Sequence, residues 1–82
     1  MPRLRVLSGR QVVRILHRFG FRVVAVRGSH AKLHREVAGG GHQTLTLPLH
    51  DTLAPGTVLA IYRQAVRLVP ESDLRPHFYT DS

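Results

Sequence analysis

The chain contains no cysteine, and only five of its 82 residues are acidic. Without thiols there is no disulfide framework and no thiolate metal site, which suits a reducing compartment. No apolar run approaches the ~18 residues that a membrane span requires, and the N-terminus lacks the apolar core of a signal peptide. The expectation is a soluble, cytoplasmic protein with no membrane partner. Also missing are a G-x-S-x-G elbow, a P-loop and a pair of acids on one element. Serine or thiol nucleophiles, nucleotide hydrolysis and glycosidase chemistry therefore fall away. A chain this short buries only about 60% of its unfolded surface, so its stability is expected to be modest.

Positive charge is what the chain has in excess. Twelve Lys and Arg against five Asp and Glu leave a formal net charge of +7 at pH 7. On so small a domain that excess points to a polyanion, with nucleic acid the commonest choice. The plain alternative is charge that only keeps the chain in solution.

Met1 to Leu7 reads as an extended lead-in. Ser8 and Gln11 have the spacing of a capping box, in which each side chain bonds the other residue's backbone N–H. Val12, Ile15, Leu16 and Phe19 follow as one apolar stripe and Gly20 fits the C′ position, which predicts a helix from Ser8 to Phe19. Phe21 to Val26 is rich in β-branched residues and predicts a strand. Two inward sets stay open for it, Phe21/Val23/Ala25 or Val24/Val26. A second strand covers Ala31 to Arg35 and a third covers Gln43 to Leu47, stopped by Pro48 and joined to the second through Gly39-Gly40-Gly41. With Leu33 facing Leu45, Ala31 faces Leu47, His30 lies beside Pro48, and Lys32 and His34 face Thr46 and Thr44 on a polar side.

Pro55 suits the first turn of a helix running to Leu68, whose stripe includes Val58, Ile61, Tyr62 and Ala65. Val69 to Ser82 reads as a tail in which Pro70 to Leu74 can form a short helical turn and Phe78-Tyr79 can dock. The order α-β-β-β-α predicts a two-layer α+β domain, a three-stranded antiparallel sheet with two helices on one face. One domain over 1–82 is expected, with its core at about 7–69.

Chemistry concentrates at Arg27-Gly28-Ser29-His30, the turn between the first two strands. Gly28 supplies the conformation of a tight hairpin tip and clears the backbone for a ligand. His30 then opens a strand at the sheet rim, with Arg27 and Lys32 on either side, and Pro48-Leu49-His50 brings a second histidine to the same rim. Imidazoles titrate near pH 6.5 and exchange protons at neutral pH. Beside an RNA backbone, His30 can take the proton of a 2′-hydroxyl while Arg27 and Lys32 stabilise the phosphorane, a route that requires no metal. Six histidines raise the question of a zinc site. His30 and His34 are roughly 13 Å apart along a strand, and His30 with His50 lacks a third and fourth ligand, so no metal or other cofactor is expected. His17, His42 and His77 read as solvated or satisfied half-buried residues, and His34 as a solvated residue of the sheet face.

Four stretches carry a resemblance. Ser8 to Leu16 with Gly20-Phe21, then Arg27-Gly28-Ser29-His30, then Leu47-Pro48-Leu49-His50, then Ala54 to Val58 leading to Arg63-Gln64-Ala65, resemble in order the HicA (YcfA-like) mRNA interferase toxins. The resemblance spans about Leu7 to Val69. It implies a fold like the double-stranded-RNA-binding domain and ribosome-independent cleavage of mRNA with His30 as the catalytic residue. Gly28 and Ser29 match the same motif, and His50 matches a Pro-x-His stretch assigned to substrate contact or support. It also implies a role in a type II toxin-antitoxin pair and a HicB-like antitoxin as partner in a hetero-oligomer. The Gly39-Gly40-Gly41 turn and the tail depart from the family pattern. The alternative reading is a module that holds double-stranded RNA without cutting it.

Overall fold

The computed structural model describes residues 1–81; Ser82, the last residue of the tail, lies outside them. Its first helix, α1 (Gly9–His17), starts where local chemistry directs. The Ser8 hydroxyl accepts the Gln11 N–H at 3.1 Å and the Gln11 side chain accepts the Ser8 N–H at 2.8 Å. Val12, Ile15 and Leu16 are buried, as their spacing requires. The helix ends two residues earlier than expected, and Gly20, at φ +92°, swings the chain so that Phe21 is fully buried ahead of the sheet.

Three antiparallel strands follow in spatial order, β2 (Arg22–Arg27), β3 (His30–Val37) and β4 (Gly41–Pro48), after a short β1 (Arg3–Leu4). The expected pairing holds throughout: Leu33 faces Leu45, Ala31 faces Leu47, Lys32 faces Thr46, His34 faces Thr44 and His30 faces Pro48. Ala31, Leu33, Leu45 and Leu47 are buried beneath the helices. The two inward sets left open for β2 have a physical origin. The β2–β3 register shifts between Val23 and Ala25, so Val23 and Val26 both pair with inward residues, Leu33 and Ala31. A bulge resets the alternation midway, and a strict period of two fails there.

The helix α2 (Pro55–Ala65) buries Val58, Ile61, Tyr62 and Ala65 against the same core and stops short of Leu68. The lead-in and the tail prove to be one structure. Glu71–Phe78 forms a helix, α3, and Tyr79–Thr80 forms β5, which pairs with β1 through Arg3↔Thr80 and Leu4↔Tyr79. Leu74 and Phe78 are fully buried, and the Tyr62 ring packs 5.3 Å from both Phe78 and Tyr79. The Tyr62 hydroxyl donates to Glu71 at 2.7 Å; burial first, then this bond to a carboxylate, raises its pKa. Truncating a buried Phe costs about 3–5 kcal/mol, so α3 belongs to the core and is not an appendage.

Candidate nucleic-acid interface

Local geometry builds the rim from one residue outward. Gly28 has φ +56°, the left-handed region that suits glycine, and a Cβ there would meet no atom within 4 Å. Its requirement is conformational, and the tip is bare. The register sets Arg27 opposite His30. Because Ala31 and Leu33 point inward, strand alternation puts His30 and Lys32 on the outer face, and Arg27, Ser29, His30 and Lys32 are all exposed.

The His50 segment is bound to this tip by its backbone. The Leu49 N–H donates to the Ser29 carbonyl at 2.5 Å, and the His50 carbonyl accepts the Gly9 N–H at 2.9 Å. Gly9 is where sterics leave no choice, since a Cβ would lie 2.2 Å from the Pro48 oxygen and 2.6 Å from the Leu49 Cα. The first turn of α1, the end of β4 and the β2–β3 tip therefore meet at one rim. Arg27, Gly28, Ser29 and His30 are brought together with Lys32 one step inward, and exposed His50 is held alongside. Among the described residues, side-chain hydrogen bonds lie elsewhere, at the Ser8 cap, Arg5, Arg35 and Tyr62, so the rim cations are not consumed by the fold.

Three features were missed by reading the chain in order. Gly9 entered only as part of a motif, and its role needs a neighbour far away in sequence. Arg35 occupies an inward position of β3, and the alternation Ala31, Leu33, Arg35 was the signal that marks it. Its guanidinium donates to Gln43 Oε1 at 2.6 and 3.0 Å, to the Phe19 carbonyl at 3.1 Å and to the Leu68 carbonyl at 2.5 Å, and lies 4.8 Å from the Phe21 ring centre. It thus serves carbonyls just past the C-terminal ends of α1 and α2, where a cation is favoured. His34 is the third. It is half-buried, not solvated, and stacks on His42 with ring centres 4.5 Å apart. Enclosure of the ring, then the nearby His42 and Lys32, lower its pKa. His42 is exposed but ordered by that stack, and half-buried His77 meets Phe19 edge-on at 5.6 Å.

With this rim in place, a family model described as the HicA toxin of bacterial toxin-antitoxin matches residues 9–66, more than half of the chain. The chain belongs to the HicA toxin family. The match begins at Gly9, the residue that seats α1 on the rim, and takes in the whole sheet and α2. This HicA-family chain is accordingly a toxin of a toxin-antitoxin system, a class that implies an antitoxin partner. No curated protein and no solved structure matches it. Among the described residues no helix is long and apolar enough to cross a membrane, and no group of three or more His, Asp or Glu is placed to hold a metal ion.

Proposed function

We propose that this HicA-family toxin is a cytoplasmic endoribonuclease that cuts mRNA, independently of the ribosome and of metal, using His30 as its one catalytic histidine. The observation that carries the reading is an exposed imidazole at a hairpin tip, set between Arg27 and Lys32, neither of which bonds an acid among the described residues. His30 takes the proton of a ribose 2′-hydroxyl, the 2′-oxygen forms a bond to the adjacent phosphorus, and the bond to the 5′-oxygen breaks. The departing oxygen takes a proton from solvent. Arg27 and Lys32 balance the charge that builds on the phosphorane, the N–H groups and bare backbone of Gly28 and Ser29 admit the phosphate closely, and His50 supports the strand from the side.

A HicB-like antitoxin that presents carboxylates to Arg27 and Lys32 would remove both charge and access in a toxin-antitoxin hetero-oligomer. Purified protein incubated with RNA and a chelator is expected to yield fragments ending in a 2′,3′-cyclic phosphate and a 5′-hydroxyl, and His30→Ala is expected to lose nearly all of this cleavage. Cleavage by that variant at the parent's rate would remove His30 from the mechanism. Salt-sensitive RNA binding with no cleavage by the parent would leave only a binding module.

A further inference from the structure

Away from His30, the outer face of the sheet holds a second cluster that the proposed reaction does not use. Arg22 faces His34 across β2 and β3, and Glu36 faces His42 across β3 and β4. The His34 and His42 rings lie diagonally between these rows, with planes only 20° apart. They belong to an open cleft of about 770 Å³ whose walls include Arg22, Val24, Glu36 and Gly40.

The two rings are not equivalent. His34 is half-buried, and its Nε2 is enclosed without a hydrogen-bond partner. Enclosure of the ring, and then the His42 and Lys32 that a charge there would face, lower the His34 pKa and favour the neutral ring. His42 is exposed, yet lies flat against this neutral ring. A fixed ring under an exposed one makes a platform, held on one side and open on the other. An aromatic platform bordered by cations is how proteins hold unpaired bases. A bare phosphate site would not be expected to carry Glu36, whereas a base edge bearing N–H groups donates to a carboxylate. Gly40, at φ +94°, turns the chain at the edge of the cleft in the left-handed conformation that suits glycine.

We infer that this cleft binds a splayed-out nucleobase of single-stranded RNA, stacked on His42, with its edge donating to Glu36 and its flanking phosphates met by Arg22 and Lys32. The inference rests on the RNA reading above and names a subsite for it. Lys32 lies between His30 and His34 on the outer face, and those two histidines are roughly 13 Å apart along β3, so one strand crosses both rim and cleft.

The test uses the full chain carrying His30→Ala, so that RNA survives, and fluorescence anisotropy with labelled oligoadenylate, oligocytidylate and oligouridylate. Adding His42→Ala is expected to weaken binding about 5- to 150-fold, the range for loss of one stacked base. His42→Phe should retain the affinity, and Glu36→Gln should erase a preference for the amino-bearing A and C over U. Unchanged affinity in the His42→Ala protein, or His42→Phe binding no better than His42→Ala, overturns the subsite while leaving the nuclease reading intact. Absence of any salt-dependent RNA binding overturns both.

Discussion

Arg27 and Arg35 sit at opposite ends of one β-ribbon and meet opposite fates. Arg35 faces inward and is surrounded by acceptors, bonding Gln43 and the carbonyls of Phe19 and Leu68. Arg27 faces outward beside His30 on a bare tip. A guanidinium with every acceptor supplied by its own chain holds the fold together. One left without acceptors is available to an external anion. Net charge alone does not separate the two, although both count equally towards the +7.

The sharpest way to break this contrast is at the open end. His30→Ala should lower RNA cleavage by about 10²–10⁴-fold, the usual range for losing a general acid–base group. Its melting temperature should stay within a degree or two of the parent's; a large drop would make His30 part of the fold. Next comes the backbone beneath that end. Gly9→Ala drives a methyl into the Pro48 carbonyl and the Leu49 Cα, atoms that cannot rotate away. A loss of about 3 kcal/mol is expected, or about 12 °C or more in melting temperature for a domain this size. An unchanged melt would show that α1 and β4 separate easily.

At the closed end, Arg35→Ala leaves the Phe19 and Leu68 carbonyls and Gln43 without their donor, a loss of about 2 kcal/mol in denaturant titrations. Arg35→Lys should not restore it, because an ammonium cannot reach this set of acceptors at once. Arg27→Ala should change stability by less than about 0.5 kcal/mol while lowering the salt slope of RNA binding by about 0.7. Equal destabilisation by the two alanine variants would erase the distinction between the ends.

The smallest effect concerns His34. Its pKa in the folded chain lies below the ordinary 6.5, because of enclosure and then of its two neighbours. Below pH 6.5 the unfolded chain therefore binds the proton more readily, and His34 opposes folding progressively as pH falls through that value towards its folded pKa. Above it the contribution is constant. Melts between pH 5 and 7.5 should show a shallower acid-side decline for His34→Gln than for the parent, and parallel curves would remove the effect.

Much of the architecture was legible because it is written locally. The Ser8–Gln11 box, the glycine at the hairpin tip and the alternation of β3 and β4 involve residues within a few positions of each other or one strand apart. They sufficed for the helix start, the register and the rim position of His30. The β2 pattern stayed ambiguous because a bulge changes its phase, and every residue of the strand is exposed. The tail showed only the first turn of its helix, Pro70 to Leu74, and the docking of Phe78-Tyr79, because eight residues containing Pro76 carry too weak a pattern to stand alone. It forms by burying Leu74 and Phe78 and by pairing β5 with β1 from the other end of the chain.

By itself the sequence determined the α-β-β-β-α order, the pairing of β3 with β4 and a basic histidine turn at a sheet rim. Capping, alternation and glycine conformation act over short spans and need no knowledge of the rest of the chain. Only the tertiary structure decided that Gly9 seats the helix, that Arg35 is consumed while Arg27 is free, and that His34 and His42 stack. Those outcomes depend on which carbonyls, rings and surfaces distant segments bring together, because burial and hydrogen-bond satisfaction are properties of the packed whole.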